Sequence, residues 1–209
     1  MKKAPFITIE GGDGAGKTSL SSYLVKKLEG IGWNVHATRE PGGTNLGEKI
    51  RSLVLNAQYP VGNQAELALF LAARAQHIEE VLLPKLSSGV LVLCDRFHDS
   101  TVAYQGGARD MGEDFVERLC ALITGNFSPD LTLYLDISPK EALARGERTN
   151  DRIESNDLRF HEKIRSTYHS LVKKHPQRMR LIDASLAINQ VQENAWKTLY
   201  PFLQGSTDA

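Results

Sequence analysis

The chain has 209 residues, 41% of them hydrophobic, which fits one compact domain with one core over residues 1–209. Lysine and arginine number 25, and aspartate and glutamate also number 25, so no net field favours nucleic acid or an anionic membrane surface, and any phosphate binding must be local. No apolar run approaches the roughly 18 residues of a membrane span, and Cys94 and Cys120 lie in apolar stretches without metal-ligand spacing, the pattern of reduced, buried thiols in a cytoplasmic protein.

In chain order, Phe6 to Ile9 is a β-branched strand ending at glycines, followed by Leu20, Leu24 and Leu28 at helical spacing up to Gly30. Further short apolar runs near Asn34 to Thr38, Val90 to Cys94, Leu131 to Leu135 and Arg180 to Ile182 alternate with longer helical segments. That alternation predicts an α/β fold of three layers: a central parallel sheet of about five strands with helices on both faces. One helix is expected from Gln64 to Leu83. Another begins at Ser138-Pro139-Lys140-Glu141, where a capping Ser, a first-turn Pro and a Glu three residues after the cap coincide. A third carries Phe160, Ile164, Tyr168, Leu171 and Val172 on one face and is closed by His175-Pro176.

The segment Gly11-Gly12-Asp13-Gly14-Ala15-Gly16-Lys17-Thr18 matches G-x-x-x-x-G-K-[ST] and stands between the first strand and the first helix, where a P-loop must stand. Its glycines let backbone N–H groups converge on phosphate oxygens at a helix N-terminus; Lys17 reaches the β and γ phosphates, and Thr18 offers a hydroxyl to Mg²⁺. Asp95-Arg96 follows the apolar run Val90 to Cys94, so a carboxylate falls at the C-terminal end of a strand, where ligands meet open α/β sheets. There it can orient Mg²⁺ through a water, or the acceptor. The residues by themselves predict a P-loop phosphotransferase with ATP and Mg²⁺.

Three blocks in order and spacing, Gly11 to Thr18, Thr38-Arg39-Glu40-Pro41-Gly42-Gly43-Thr44 and Asp95 to Gly106, closely resemble the thymidylate kinase family, and the similarity runs on through Asp151-Arg152-Ile153-Glu154 to Ile182-Asp183-Ala184. The resemblance implies transfer of the ATP γ-phosphoryl group to dTMP. It implies that Phe70 stacks on thymine and that Arg74, four residues on and on the same helix face, bonds its carbonyl. Arg39 and Arg96 match positions that hold the 5′-phosphate. Tyr104 matches the ring that favours deoxyribose, Thr101 and Gln105 lie near the base, and Asp13 meets the 3′-hydroxyl. The family also suggests a cis peptide at Glu40-Pro41 and a homodimer, for which Leu46, Ile50, Leu53 and Val54 are interface or core candidates.

Gly14 stands where some family members carry an arginine, so a cation for the transition state is sought in the lid of residues about 143–155. Among Arg145, Arg148 and Arg152, Arg152 is the expected catalytic cation beside Lys17, Arg96 and Asp95. No general base is needed, because the acceptor oxygen of a phosphate is already largely deprotonated near pH 7. The six histidines lack metal-ligand spacing and read as surface or packing residues. Two alternatives stand beside this reading: a deoxynucleoside kinase with Glu40 as base, and a GTPase-like nucleotide switch, for which the chain lacks an Asn-Lys-x-Asp motif.

Overall fold

A computed structural model describes residues 4–145 and 151–205. Strand β1 (Phe6–Gly11) is buried along its whole length, as a run such as Phe6 to Ile9 must be when helices cover both faces of a sheet. Helix α1 (Lys17–Gly30) follows, burying Leu20, Leu24 and Leu28, and leads to the edge strand β2 (Val35–Arg39). Three helices come next: α2 (Asn45–Leu55), α3 (Asn63–His77) and α4 (Leu83–Ser87). Strand β3 (Leu91–Asp95) runs into the short α5 (His98–Thr101), and α6 (Glu113–Thr124) precedes β4 (Leu131–Asp136). The chain continues through α7 (Pro139–Ala144), α8 (Leu158–Lys174), β5 (Met179–Asp183) and α9 (Ile188–Gly205).

The five strands form one parallel sheet in the order β2-β3-β1-β4-β5. Neighbours β3 and β1 run in register with Ile9 opposite Asp95, so the chain leaves both strands on one level and both exits reach one site. On one face, α1 and α9 close the core with Leu20, Leu24, Leu28, Val191, Ala195 and Leu199. The other face is closed by α2, α3, α6 and α8, through Ile50, Val54, Leu67, Leu71, Val116 and Tyr168. Both cysteines are buried and free.

The predicted helix ends hold. Ser138 Oγ accepts from Glu141 N at 3.3 Å and donates to Glu141 Oε2 at 2.5 Å, and α8 stops at Lys174, before His175-Pro176. The expected helix from Gln64 to Leu83 differs. It is α-helical only to His77, widens to a π-helical turn over Ile78–Leu82, and resumes as α4. Pro84 has no N–H to give the preceding turn and its ring crowds that turn, which is the physical reason for the wider spacing. A second π-helical stretch, Val102–Ala108, follows α5. There Gly107 lets α8 come close: a Cβ on it would stand 2.0 Å from Thr167 Oγ1.

Candidate active site

The loop between β1 and α1 has the backbone of an anion cradle. Gly14 has φ 74°, and a Cβ there would meet Ala142 O at 3.0 Å, so a side chain would be strained and would press on α7, a setting that favours glycine. No side chain among the described residues caps the N-terminus of α1, which leaves its first N–H groups for a ligand. Lys17 Nζ donates to Gly12 O at 2.9 Å and to Gly11 O at 3.2 Å, resting on the loop that it must serve. Burial, followed by the charge of Arg96, lowers the pKa of its ammonium group. Asp95 Oδ1 is buried with no hydrogen-bond partner among the described residues. An orphaned carboxylate oxygen at the end of a strand beside the cradle strand suits hydrated Mg²⁺ better than a purely structural role. No group of three or more possible metal-ligating side chains occurs among the described residues.

Arg96 is the centre of the site. Its backbone is left-handed, with φ 71°, a strained setting for a non-glycine residue and one found where function fixes geometry. Its guanidinium donates to Gly11 O at 2.9 Å, Ser100 Oγ at 3.2 Å and Asp13 Oδ1 at 2.5 Å. It also lies 5.1 Å from the Tyr104 ring centroid, and Tyr104 OH donates to Asp13 Oδ2 at 3.1 Å. Burial pushes the Asp13 carboxyl up, but Arg96 and Lys17 outweigh it and hold the group below its ordinary value.

Beneath Arg96 lies Glu10, fully buried and not anticipated from the sequence. Its carboxylate accepts from Phe97 N at 2.7 Å, Ser100 Oγ at 2.5 Å and Tyr168 OH at 2.8 Å. Burial, then the nearby Asp99 charge, raises its pKa to about 7, against the lowering influence of Ser100, Tyr168 and Arg96. A carboxyl whose folded pKa is raised adds stability while it is protonated and loses that contribution as pH rises through the folded value. Between pH 4.5 and 7.5, urea unfolding should therefore show stability moving in favour of Glu10→Gln over wild type, by up to about 3 kcal/mol. Parallel pH profiles for the two proteins would contradict this.

A cleft opens beside the cradle, lined by Asp13, Arg96, Phe70, Arg74, Thr101, Tyr104 and Gln105 among others. Seven of the sequence-predicted acceptor residues thus come together. Arg74 is 2% exposed, donates Nε to Glu40 Oε2 at 2.7 Å, and lies 5.1 Å from the Phe97 ring centroid. Glu40 Oε1 is held by His77 Nδ1 at 2.9 Å, and His77 Nε2 faces Thr38 Oγ1 at 2.9 Å. The Glu40-Pro41 peptide is cis, as the family resemblance suggests. Sequence reasoning passed over His77 as a site residue. The signal was a stripe at helical spacing, Glu66, Phe70, Arg74 and His77, along one side of α3.

Two arginines stand away from where they were expected. Arg39 ends the edge strand β2 and is half exposed; its Nη2 forks onto Glu48 at 3.0 and 3.1 Å in the first turn of α2, which draws it out of the cleft. Arg51, unforeseen, takes a place in the lining and donates Nη1 to Pro41 O at 3.0 Å. Arg152 is bound away from the cradle. Its Nε donates to Val54 O at 3.0 Å and its Nη2 pairs with Glu66, so in this conformation it braces the acceptor cleft from behind. Arg145 donates to Ala184 O at 2.7 Å beside a second cavity, which adjoins Gly14, Ala15 and Gly16 on the far side of the loop. Arg148 and the rest of the lid over 146–150 lie outside the described residues.

Comparison with known proteins places the chain as a whole. A sequence model of the family described as thymidylate kinase matches residues 9–195. The chain is 47% identical over 208 residues to a thymidylate kinase of Protochlamydia amoebophila, covering 94% of this chain and 92% of that one. It is 49% identical over 185 residues to a thymidylate kinase of Chlamydia muridarum, covering 87% and 91%. Among solved structures, a thymidylate kinase from Ehrlichia chaffeensis superposes with a TM-score of 0.79 at 34% identity, over 94% of this chain and 98% of that one. A phosphate cradle, a base-sized cleft at its side and kinship over nearly the whole length lead to one conclusion: the chain belongs to the thymidylate kinase family.

Proposed function

We propose that the protein transfers the γ-phosphoryl group of ATP to dTMP, giving dTDP and ADP, in an Mg²⁺-dependent reaction in the cytoplasm. The observation that carries this reading is the Asp13–Arg96–Tyr104 cluster, set between the phosphate cradle and a cleft lined by Phe70, Arg74 and Gln105. Arg96 and Arg51 receive the acceptor phosphate, whose oxygen attacks the γ-phosphorus, while Lys17 and the α1 N-terminus hold the donor phosphates. When bound, Mg²⁺ neutralises charge on the transferring phosphate; the Thr18 hydroxyl and Asp95, through water, would hold it. The second cavity, flanked by Arg145, Leu186 and Ile188, suits the donor's base. Charge relief from Arg152 would require it to leave Glu66.

The deoxynucleoside kinase alternative needs Glu40 as a free base. Both of its oxygens are engaged, by Arg74 and His77, which supports a phosphate acceptor instead. A homodimer fits helix α2, which turns Ile50 and Val54 into the core and leaves Leu46 and Leu53 outward, 45% and 47% exposed. Such outward leucines suit packing against a second copy. ADP release measured with ATP and Mg²⁺ should be strong with dTMP and weak with thymidine, dCMP or GMP. A preference for thymidine would overturn the assignment.

A further inference from the structure

We infer that Glu66 is a positioning residue for acceptor selection: it fixes which end of the Gln105 side-chain amide faces the acceptor cleft. The inference deepens the proposed function and rests on it. Glu66, on α3, is 0% exposed, yet it touches no part of the cradle. Gln105 Nε2 donates to its Oε1 at 2.8 Å, and Arg109 Nε donates to the same oxygen at 3.3 Å. Arg109 Nη2, at 3.4 Å, and Arg152 Nη2 donate to Oε2. Burying a carboxylate this deeply is costly, and four donors from three side chains offset that cost.

The chemistry of the pair gives the amide a direction. A carboxylate accepts hydrogen bonds and does not donate them, so the end of Gln105 turned to Glu66 must be the NH₂ group. The carbonyl oxygen Oε1 is the end left to the cleft that Gln105 lines. A base that carries N3–H, such as thymine, meets that oxygen with a donor. Cytosine presents a bare N3 lone pair at the same place and is repelled. A free glutamine would turn over and serve either base; one held by Glu66 cannot. The same carboxylate also braces the wall of the cleft. Arg152, which it binds, donates its backbone N–H to Leu55 O at 3.1 Å and is followed by Ile153 and Glu154, both of which line the cleft.

Two variants test this: Glu66→Gln, whose amide no longer dictates direction, and the exchanged pair Glu66→Gln with Gln105→Glu. In the exchange, the new amide at 66 donates to the new carboxylate at 105, whose other oxygen again offers only an acceptor to the cleft. Steady-state kinetics with dTMP and dCMP should show the dTMP-to-dCMP ratio of kcat/KM falling about tenfold or more in Glu66→Gln. The fall should come through the dTMP KM relative to that of dCMP, while any change in kcat from releasing Arg152 is common to both acceptors and leaves the ratio untouched. The exchanged pair should return the ratio to within about threefold of wild type, a rescue that loss of packing alone would not produce. An unchanged ratio in a folded Glu66→Gln overturns the inference, as does an exchanged pair no more selective than the single variant. If Glu66→Gln does not fold, the exchanged pair decides alone: a dTMP-to-dCMP ratio about tenfold or more below wild type overturns the inference. A wild-type protein that does not turn over dTMP overturns the proposed function instead.

Discussion

Replacing Arg96 by methionine is expected to lower kcat/KM for dTMP by on the order of 10³-fold, the lower end of what a charge-neutralising arginine supplies in phosphoryl transfer. The size follows from what that side chain does at once. Its guanidinium joins Gly11 O of the cradle to Asp13 and Ser100, so it is preorganised where the proposed reaction brings donor and acceptor phosphates together. Methionine keeps the length and the apolar stem but removes the charge and every donor. ADP release across a dTMP titration provides the measurement. Turnover within threefold of wild type would move the acceptor phosphate to Arg51 and Lys17 alone.

Removal of the Glu40 side chain as alanine should cost about 3–5 kcal/mol of unfolding free energy, because Arg74 would be left buried and unpaired. Arg74 and His77 are 2% and 0% exposed, and both are bound to Glu40, so the carboxylate is the main charge partner of the buried guanidinium. The combined replacement Glu40→Leu with Arg74→Met should recover most of that loss, since apolar side chains of similar volume often match or exceed a buried ion pair in stability. It should not recover dTMP turnover. Urea unfolding and the turnover assay separate the two results. A Glu40→Ala cost below about 1 kcal/mol would mean that Arg74 is satisfied by other partners.

The sheet was legible because its strands are apolar without alternation: Leu91 to Cys94 is buried throughout, and Val90 to Cys94 reads that way from the residues alone. The cradle was legible for a related reason, since backbone N–H groups can converge on phosphate only at a particular spacing of glycines. The rest depended on direction rather than spacing. Nothing local decides whether Arg39 turns toward the cleft or toward Glu48, because the two lie across a loop from each other. Glu10 escaped notice because a single acid in an apolar strand shows neither period nor motif; its partners Phe97, Ser100 and Tyr168 come from two later elements. Glu66 and His77 were within reach, as the stripe through Phe70 and Arg74 extends to both. The break at Ile78–Leu82 was written in Pro84, and that signal was outweighed by a strong helical period.

The contact between Asp13 and Arg96 has a bearing on how fast the cycle closes. The enzyme's own acid occupies the arginine, so under the proposed reaction an incoming phosphate exchanges one anion for another and gains less than it would from a bare cation. The same acid stands ready to reclaim Arg96 when the product leaves. An internal competitor of this kind weakens the hold on substrate a little and shortens the residence of product, a favourable trade for a catalyst whose next turnover waits on an empty cleft.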